Sequence, residues 1–286
     1  MAEKLIAGAV ASHLGERLVS ARPLSGGMIG EVYKAELEDG IPLVAKVDEN
    51  AGSHLEREAY MLRYLREKSG LPVPEVYFGS ETLLLMEFIE GASVFPEAVE
   101  HHAAELLAGL HSITANEYGH ERNTLIGSLD QPNPPTENWT DFFRDNRLLY
   151  MADVAHRSGC LPTEDRKRID SLAGRLDEYI EAPNPPSLIH GDAWSANVLA
   201  KGDRITAFLD PAIYFADAEM ELAFISLFDS FGKAFFERYG EVRSIRPGFF
   251  EVRRDLYNLY PLLVHVYFFG GGYAGMVRRI LDRFGV

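Results

Sequence analysis

The stretch His190-Gly191-Asp192-Ala193-Trp194-Ser195-Ala196-Asn197 decides how this chain is read. The short apolar run Ser187-Leu188-Ile189 leads into it, and a second apolar run, Ile205-Thr206-Ala207-Phe208-Leu209, ends on Asp210. Short loops flanked by strands would turn Asp192, Asn197 and Asp210 toward one cleft. Phosphoryl transfer asks little covalent work of a protein; it needs an acceptor hydroxyl oriented, phosphate charge offset by metal, and cations on the phosphates. Asp192 stands where a carboxylate would orient the hydroxyl and take its proton. Asn197 and Asp210 offer the hard oxygen ligands that Mg²⁺ prefers. The spacing Asp-x4-Asn, followed by a strand-end Asp, matches the kinase pattern His-Arg-Asp-x4-Asn with Asp-Phe-Gly. Gly191 replaces the arginine and Asp210-Pro211-Ala212 replaces Asp-Phe-Gly, changes that point from protein hydroxyls toward a small-molecule acceptor. The competing reading is a surface loop with Asp and Asn in turn positions. The strand-end Asp210 argues against it.

Upstream residues supply the nucleotide side. Lys46 lies in Val44-Ala45-Lys46-Val47, and facing inward it would contact the α- and β-phosphates of ATP. An isolated strand lysine is more often an exposed edge charge; the downstream pattern reverses that preference. A helix carboxylate should pair with Lys46. Glu56 and Glu58 both qualify, and Glu58 is chosen because Ala59 and Leu62 beside it are apolar. Ser25-Gly26-Gly27-Met28-Ile29-Gly30 would cover phosphates with backbone N–H groups, Gly26 and Gly27 permitting close approach. As a pattern it reads equally as a hairpin turn. Met86-Glu87-Phe88 falls where two lobes join, and its backbone is the expected adenine contact. His190 reads as a structural residue of the loop. Trp194 stacks on a sugar face if exposed and packs if buried.

The elements follow from periodicity. Residues 3–14 and 54–68 have helical spacing, the second with Leu55, Ala59, Leu62 and Leu65 on one face. Residues 32–37, 41–47 and 82–88 read as strands, with a hairpin turn at Asp39-Gly40. Helices are expected over 101–111, 141–156 and 164–181, with rigid loops at 132–135 and 183–186. The fold class is α+β: a two-lobed protein-kinase-like fold. Residues 1–88 form a small antiparallel-sheet lobe that binds the nucleotide phosphates, and residues 89–286 a larger, mainly helical lobe with the catalytic loop and the substrate site.

Bulk properties narrow the partners. Lys and Arg number 28 against 43 Asp and Glu, a formal charge of −15, which disfavours nucleic acid or an anionic membrane. A single cysteine, Cys160, leaves no intramolecular disulfide and suits a reducing compartment. The N-terminus lacks a signal-peptide pattern, and the apolar segment 260–269 is too short to span a bilayer. The expected setting is cytoplasmic, as a monomer or weak dimer. No metal-ligand spacing stands out among the histidines.

With these residues in place, the chain resembles the fructosamine kinase family, the ketosamine-3-kinases, which are similar in fold to aminoglycoside phosphotransferases and choline kinases. The resemblance runs nearly the full length. It rests on Ser25-Gly26-Gly27 with Glu31, Ala45-Lys46-Val47, Glu56-Arg57-Glu58-Ala59, Leu85-Met86-Glu87-Phe88, Gln131, Asn133, Trp139 and Arg147. It is densest at 190–197, at Asp210-Pro211-Ala212-Ile213-Tyr214 and at Glu219-Met220-Glu221-Leu222-Ala223. It implies ATP-dependent phosphorylation of a ketosamine, a fructosamine or ribulosamine free or on protein, at the sugar's third hydroxyl, after which the sugar leaves in deglycation. It implies Asp192 as base, Asn197 and Asp210 on magnesium, Lys46 with Glu58 on the phosphates, and Trp194, Tyr214 and Glu219 toward the sugar. Where some members carry a redox cysteine in the glycine-rich loop, this chain has Met28, so that switch is not expected. Two alternatives stand beside this reading. A kinase of another small hydroxyl compound, such as an aminoglycoside or choline, is opposed by Trp194 and the Asp-Pro-Ala run. An inactive nucleotide-binding protein is opposed by the filled catalytic positions.

Overall fold

The computed structural model describes residues 2–24, 30–48, 54–181 and 185–286. Gly26 and Gly27, expected over the phosphates, lie outside the described residues. Helix α1 (Ala2–Leu14) leads into strands β1 (Leu18–Pro23), β2 (Glu31–Leu37) and β3 (Pro42–Val47), then helix α2 (Leu55–Lys68), β4 (Val76–Gly79) and β5 (Leu83–Glu87). The strands form one antiparallel sheet in the order β1-β2-β3-β5-β4. Strand alternation sorts its two faces. Ala35, Leu43, Ala45, Val47 and Leu85 join Ile6 and Val10 of α1 in a small core. The opposite face carries Val44, Lys46, Leu84 and Met86, and α2 lays Leu55, Ala59, Leu62 and Leu65 over it. That alternation turns Lys46 inward, because Ala45 and Val47 on either side belong to the other core.

The rest of the chain is mainly helical. Its elements are α3 (Glu97–His111), β6 (Thr124–Ile126), β7 (Leu129–Gln131), α4 (Trp139–Phe143), α5 (Tyr150–Arg157), α6 (Thr163–Ala173), β8 (Ser187–Ile189), β9 (Val198–Lys201), β10 (Arg204–Phe208), β11 (Tyr214–Ala216), α7 (Glu219–Leu227), α8 (Lys233–Val242), α9 (Arg254–Phe269) and α10 (Gly272–Arg283). Helix α9 is buried on every side from Leu256 to Val266 and forms the axis of the larger core. No helix among the described residues is long and apolar enough to cross a membrane.

The structure departs from the sequence expectation in particular places. The single helix expected over 141–156 begins at Trp139 and is interrupted by a π-helical turn at Arg144–Leu149. The helix expected over 164–181 stops at Ala173, and a 3₁₀ turn, Leu176–Glu178, follows. Strands β1, β4, β6, β7, β9 and β11 were not anticipated. Several have only three or four residues, too few for alternation to stand out from background.

Four short strands position the chemistry. Strands β9 and β10 form an inner hairpin, and β8 pairs with β11 outside it. The two connectors between the inner and outer ribbons, 190–197 and 209–213, therefore lie side by side. Ala212 N–H donates to the His190 carbonyl at 2.8 Å, and Leu209 N–H to the Asn197 carbonyl at 2.8 Å.

Candidate active site

The first connector carries Asp192 and Asn197. Asn197 Nδ2 donates to Asp192 Oδ2 at 2.7 Å and to the Asp192 carbonyl at 3.0 Å. A 3₁₀ turn, Ser195–Asn197, closes the loop, and Ser195 N–H donates to Ser230 Oγ at 3.0 Å. Gly191 sits at φ +83°, and a Cβ there would run into the Ala212 carbonyl, so the close approach of the two connectors requires glycine. On the second connector Asp210 itself adopts a left-handed φ of +52°, a conformation that Asp tolerates at a cost and that recurs at functional sites.

Across the cleft, Lys46 Nζ donates to Glu58 Oε1 at 2.6 Å and to Asp210 Oδ1. Glu56 is exposed, so the helix carboxylate that meets the lysine is Glu58. Burial draws the Lys46 pKa down, but Asp210 and Glu58 outweigh it and hold the ammonium above its ordinary value. Burial pushes Glu58 up to about 7 against the pull of Lys46. For Asp210, Lys46 overcomes burial and keeps the carboxyl below its usual range. Burial, reinforced by the charge of Asp210, pushes Asp192 up to about 8, while the Asn197 hydrogen bond pulls it down.

Asp192 stands in the wall between two cavities. The larger, about 660 Å³, is lined by Lys46, Glu58, Asn197 and Asp210 and by Met86, Glu87 and Phe88, a volume that holds a cofactor-sized ligand. The smaller, about 40 Å³ and mostly apolar, is lined by Tyr214, Tyr260, Phe224 and His265 among others. Asp192 and Trp194 line both. Trp194 is half-buried, its ring 5.4 Å from that of Phe228 and edge-on to His265 at 6.3 Å. Of the two roles left open for it, the structure supplies parts of each: aromatic packing and a face at both cavities.

Glu219 is elsewhere. It is buried and committed to Arg253, which donates from Nε at 2.6 Å and Nη2 at 3.0 Å, and to Arg246. It lines neither cavity, so the sugar-side position expected for it is corrected to the core between α7 and the segment preceding α9. Two residues on, Glu221 lines the smaller cavity and grips the 190–197 loop. Its Oε1 accepts from Gly191 N–H at 2.7 Å and its Oε2 from His190 N–H at 3.1 Å. His111 Nε2 lies 2.9 Å from Oε2, and His111 Nδ1 lies 2.7 Å from the Tyr239 hydroxyl. Burial opposes the Glu221 charge, but His111 and the loop amides outweigh it and keep the carboxyl below its usual range. Glutamates two apart on a helix point to nearly opposite sides, and their sequence does not say which side meets the loop. His190 Nδ1 accepts from Asp192 N–H at 3.3 Å, in keeping with its structural reading.

Comparison with known proteins follows the same lines. The family model described as fructosamine kinase matches residues 2–285. A probable ketoamine kinase of Synechocystis is 30% identical over 276 residues, covering 93% of this chain and 90% of that one. A chloroplastic protein-ribulosamine 3-kinase of Oryza sativa subsp. indica is 31% identical over 276 residues, covering 93% of this chain and 79% of that one. The crystal structure of a candidate fructosamine-3-kinase from Thermobifida fusca superposes with a TM-score of 0.85 at 30% identity, over 97% of this chain and 98% of that one.

Proposed function

The chain belongs to the fructosamine kinase family, and from that premise we propose that it transfers the γ-phosphoryl group of ATP to the third hydroxyl of a ketosamine, the step that leads to deglycation. The observation that carries this reading is the position of Asp192, which lines both the polar nucleotide-sized cavity and the apolar cavity beside it. ATP occupies the larger cavity, with adenine against the backbone of Met86, Glu87 and Phe88 and its phosphates toward Lys46. The ketosamine approaches Asp192 from the side of the smaller cavity, which admits only part of it, with Trp194 and Tyr214 toward its sugar. Residues 1–88 serve the nucleotide, and residues 89–286 supply the catalytic loop and the acceptor site. A cytoplasmic setting and a monomer or weak dimer complete the reading.

The donor set suits magnesium. Asn197 spends its Nδ2 on Asp192, which leaves its amide oxygen for the cleft, and the Asp210 side chain is 47% exposed there. No cluster of three or more His, Cys, Asp or Glu fit to hold a metal occurs among the described residues. That fits Mg²⁺, which takes one or two carboxylates together with substrate phosphates and water. Asn197 and Asp210 would hold the ion, whose charge offsets that of the phosphates and favours ionised Asp192. Asp192 then accepts the proton of the acceptor hydroxyl, while Glu58 keeps Lys46 aimed at the phosphates. Positioning and electrostatics carry the reaction, as phosphoryl transfer requires.

The test is incubation with ATP, Mg²⁺ and a panel of fructosamines and ribulosamines, free and on lysine, with phosphate transfer to at least one expected. Transfer to none of them would refute the reading.

A further inference from the structure

Arg147 lies wholly buried on a helical stripe that is otherwise apolar: Trp139, Phe143, Met151 and Ala155. Among the described residues it has no ion-pair partner. Its guanidinium donates instead to the carbonyls of Pro132 at 2.7 Å and Asn146 at 2.9 Å and to Asn133 Oδ1 at 2.6 Å, and its Nε has no acceptor. Three rings enclose it, with the guanidinium carbon 3.9 Å from the centroid of Tyr214, 4.6 Å from Phe142 and 5.5 Å from Tyr260. Burying a cation without a counter-ion costs several kcal/mol, and well-packed apolar residues commonly replace buried charges without loss of stability. Cation–π contacts of about 2 kcal/mol in a desolvated site offset part of that cost. Stability alone is therefore a poor account of an arginine here.

The rings it holds have a second use. Tyr214 and Tyr260 wall the smaller cavity beside Asp192. Tyr260 also donates from its hydroxyl to Gln131 Oε1 at 2.7 Å, and Gln131 Nε2 donates to the Ala212 carbonyl at 3.0 Å. That carbonyl is the one packed against Gly191. The arginine thus braces two tyrosine walls and, through one of them, the connector next to the catalytic loop. The π-helical turn Arg144–Leu149 supports the same conclusion, since such turns recur at functional sites.

We propose that Arg147 is a positioning residue for the acceptor: it fixes the ring planes of Tyr214 and Tyr260 and so sets affinity for the ketosamine. This rests on the functional reading above, which places the acceptor against that cavity. The experiment compares Arg147→Met, Arg147→Lys, Tyr214→Leu and the double variants, reading KM for ketosamine, KM for ATP, kcat and Tm. Arg147→Met is expected to raise the ketosamine KM about tenfold or more and leave the ATP KM within about twofold. Arg147→Lys, which keeps a cation under the rings but loses the fork, should recover part of the loss. In a Tyr214→Leu background the arginine substitution should add little, because the two act as one unit. If Arg147→Met does not fold, the Arg147→Lys and Tyr214→Leu cycle carries the same test. An unchanged ketosamine KM, an equal rise in both KM values, or additive effects in the cycle would each overturn the proposal while wild-type activity stands. A wild type inactive on every ketosamine would overturn the functional reading and this inference with it.

Discussion

Gly191→Ala tests whether the two connectors must touch for the catalytic loop to work. At φ +83° an alanine carries a backbone cost of about 1–2 kcal/mol. Its Cβ also meets the Ala212 carbonyl, a backbone atom tied on both sides: the oxygen accepts from Gln131 Nε2, and the same residue's N–H donates to His190. Relief therefore requires the connectors to separate and weakens two hydrogen bonds of about 1 kcal/mol each. The expected loss of stability is about 3–4 kcal/mol. Because Asp192 is the next residue, the separation also moves its carboxylate, and a misplacement of about 1 Å costs on the order of 10²-fold in rate. Gly202→Ala is the control. It has φ +62° but nothing within 4 Å of the added Cβ, so it incurs the backbone cost alone, about 1 kcal/mol, in a turn remote from Asp192. Thermal unfolding and kcat, measured at a temperature where all three proteins are folded, separate the two effects. A kcat for Gly191→Ala within threefold of wild type, or an equal loss in Gly202→Ala, would refute the argument.

Further substitutions test the assigned roles. Asp192→Asn should lower kcat by at least about 10³-fold while the ATP dissociation constant stays within about threefold, since it acts on the acceptor hydroxyl; single-turnover kinetics and nucleotide titration check this. Lys46→Met leaves Glu58 and Asp210 without their shared cation, so ATP affinity should fall at least about tenfold, read by calorimetry. The loss of stability in that variant should be smaller at pH 6 than at pH 8, because Glu58, already raised to about 7, takes up a proton. Asp192 gives a second pH signature. Its folded pKa of about 8 lies above the ordinary carboxylate value, so the folded state holds the extra proton and the stabilisation is complete below about pH 4. It is lost as pH rises through 8. Without nucleotide, Asp192→Asn should therefore gain stability relative to wild type between pH 6 and 8.5, by about 1–2 kcal/mol once partial solvation of the carboxyl is allowed for; denaturant titrations at the two pH values measure it.

The grouping of Asp192, Asn197 and Asp210 was legible in the sequence because phosphoryl transfer fixes residue types at fixed spacing, and all three line the larger cavity. Lys46 was legible only through the downstream pattern, which called for a cation on the phosphates; the structure then shows alternation along β3 leaving it on the face opposite Ala45 and Val47. Glu58 followed from its apolar neighbours on α2. What stayed hidden depends on docking. The sequence held Glu219 and Glu221 in one helical run, but only the packing of α7 against α9 decides that Glu221 faces the loop. Arg147 entered the sequence reading only as part of the resemblance, with no role, since nothing local announces three rings closing on it from β11, α4 and α9. The nested pairing of β8 with β11 around β9 and β10 was likewise beyond reach, because three-residue strands carry no periodicity to read.

Charge around the nucleotide cavity leads to a last expectation. Among the described residues lining it, Lys34 and Lys46 stand against Glu58, Glu87, Glu90 and Asp210, while Asp192 holds its proton below about pH 8. Lys46 is already shared by two of these carboxylates, and Lys34 lies over the Phe88 ring at 4.2 Å. The whole chain carries −15. A nucleotide bearing several negative charges would thus enter a field of its own sign. At an effective dielectric of about 20, one like-charge pair about 5 Å apart costs roughly 3 kcal/mol, on the order of 10²-fold in affinity. A divalent cation held by Asp210 would supply the positive charge that reverses the sign of that term, and Lys46 would then be free to turn from a carboxylate toward a phosphate. ATP should therefore bind about 10²-fold more weakly with chelator present than with Mg²⁺, and the difference should shrink in Asp210→Asn. Equal affinity with and without Mg²⁺ would mean that residues outside this cleft wall neutralise the phosphates and that Asp210 is not the metal carboxylate.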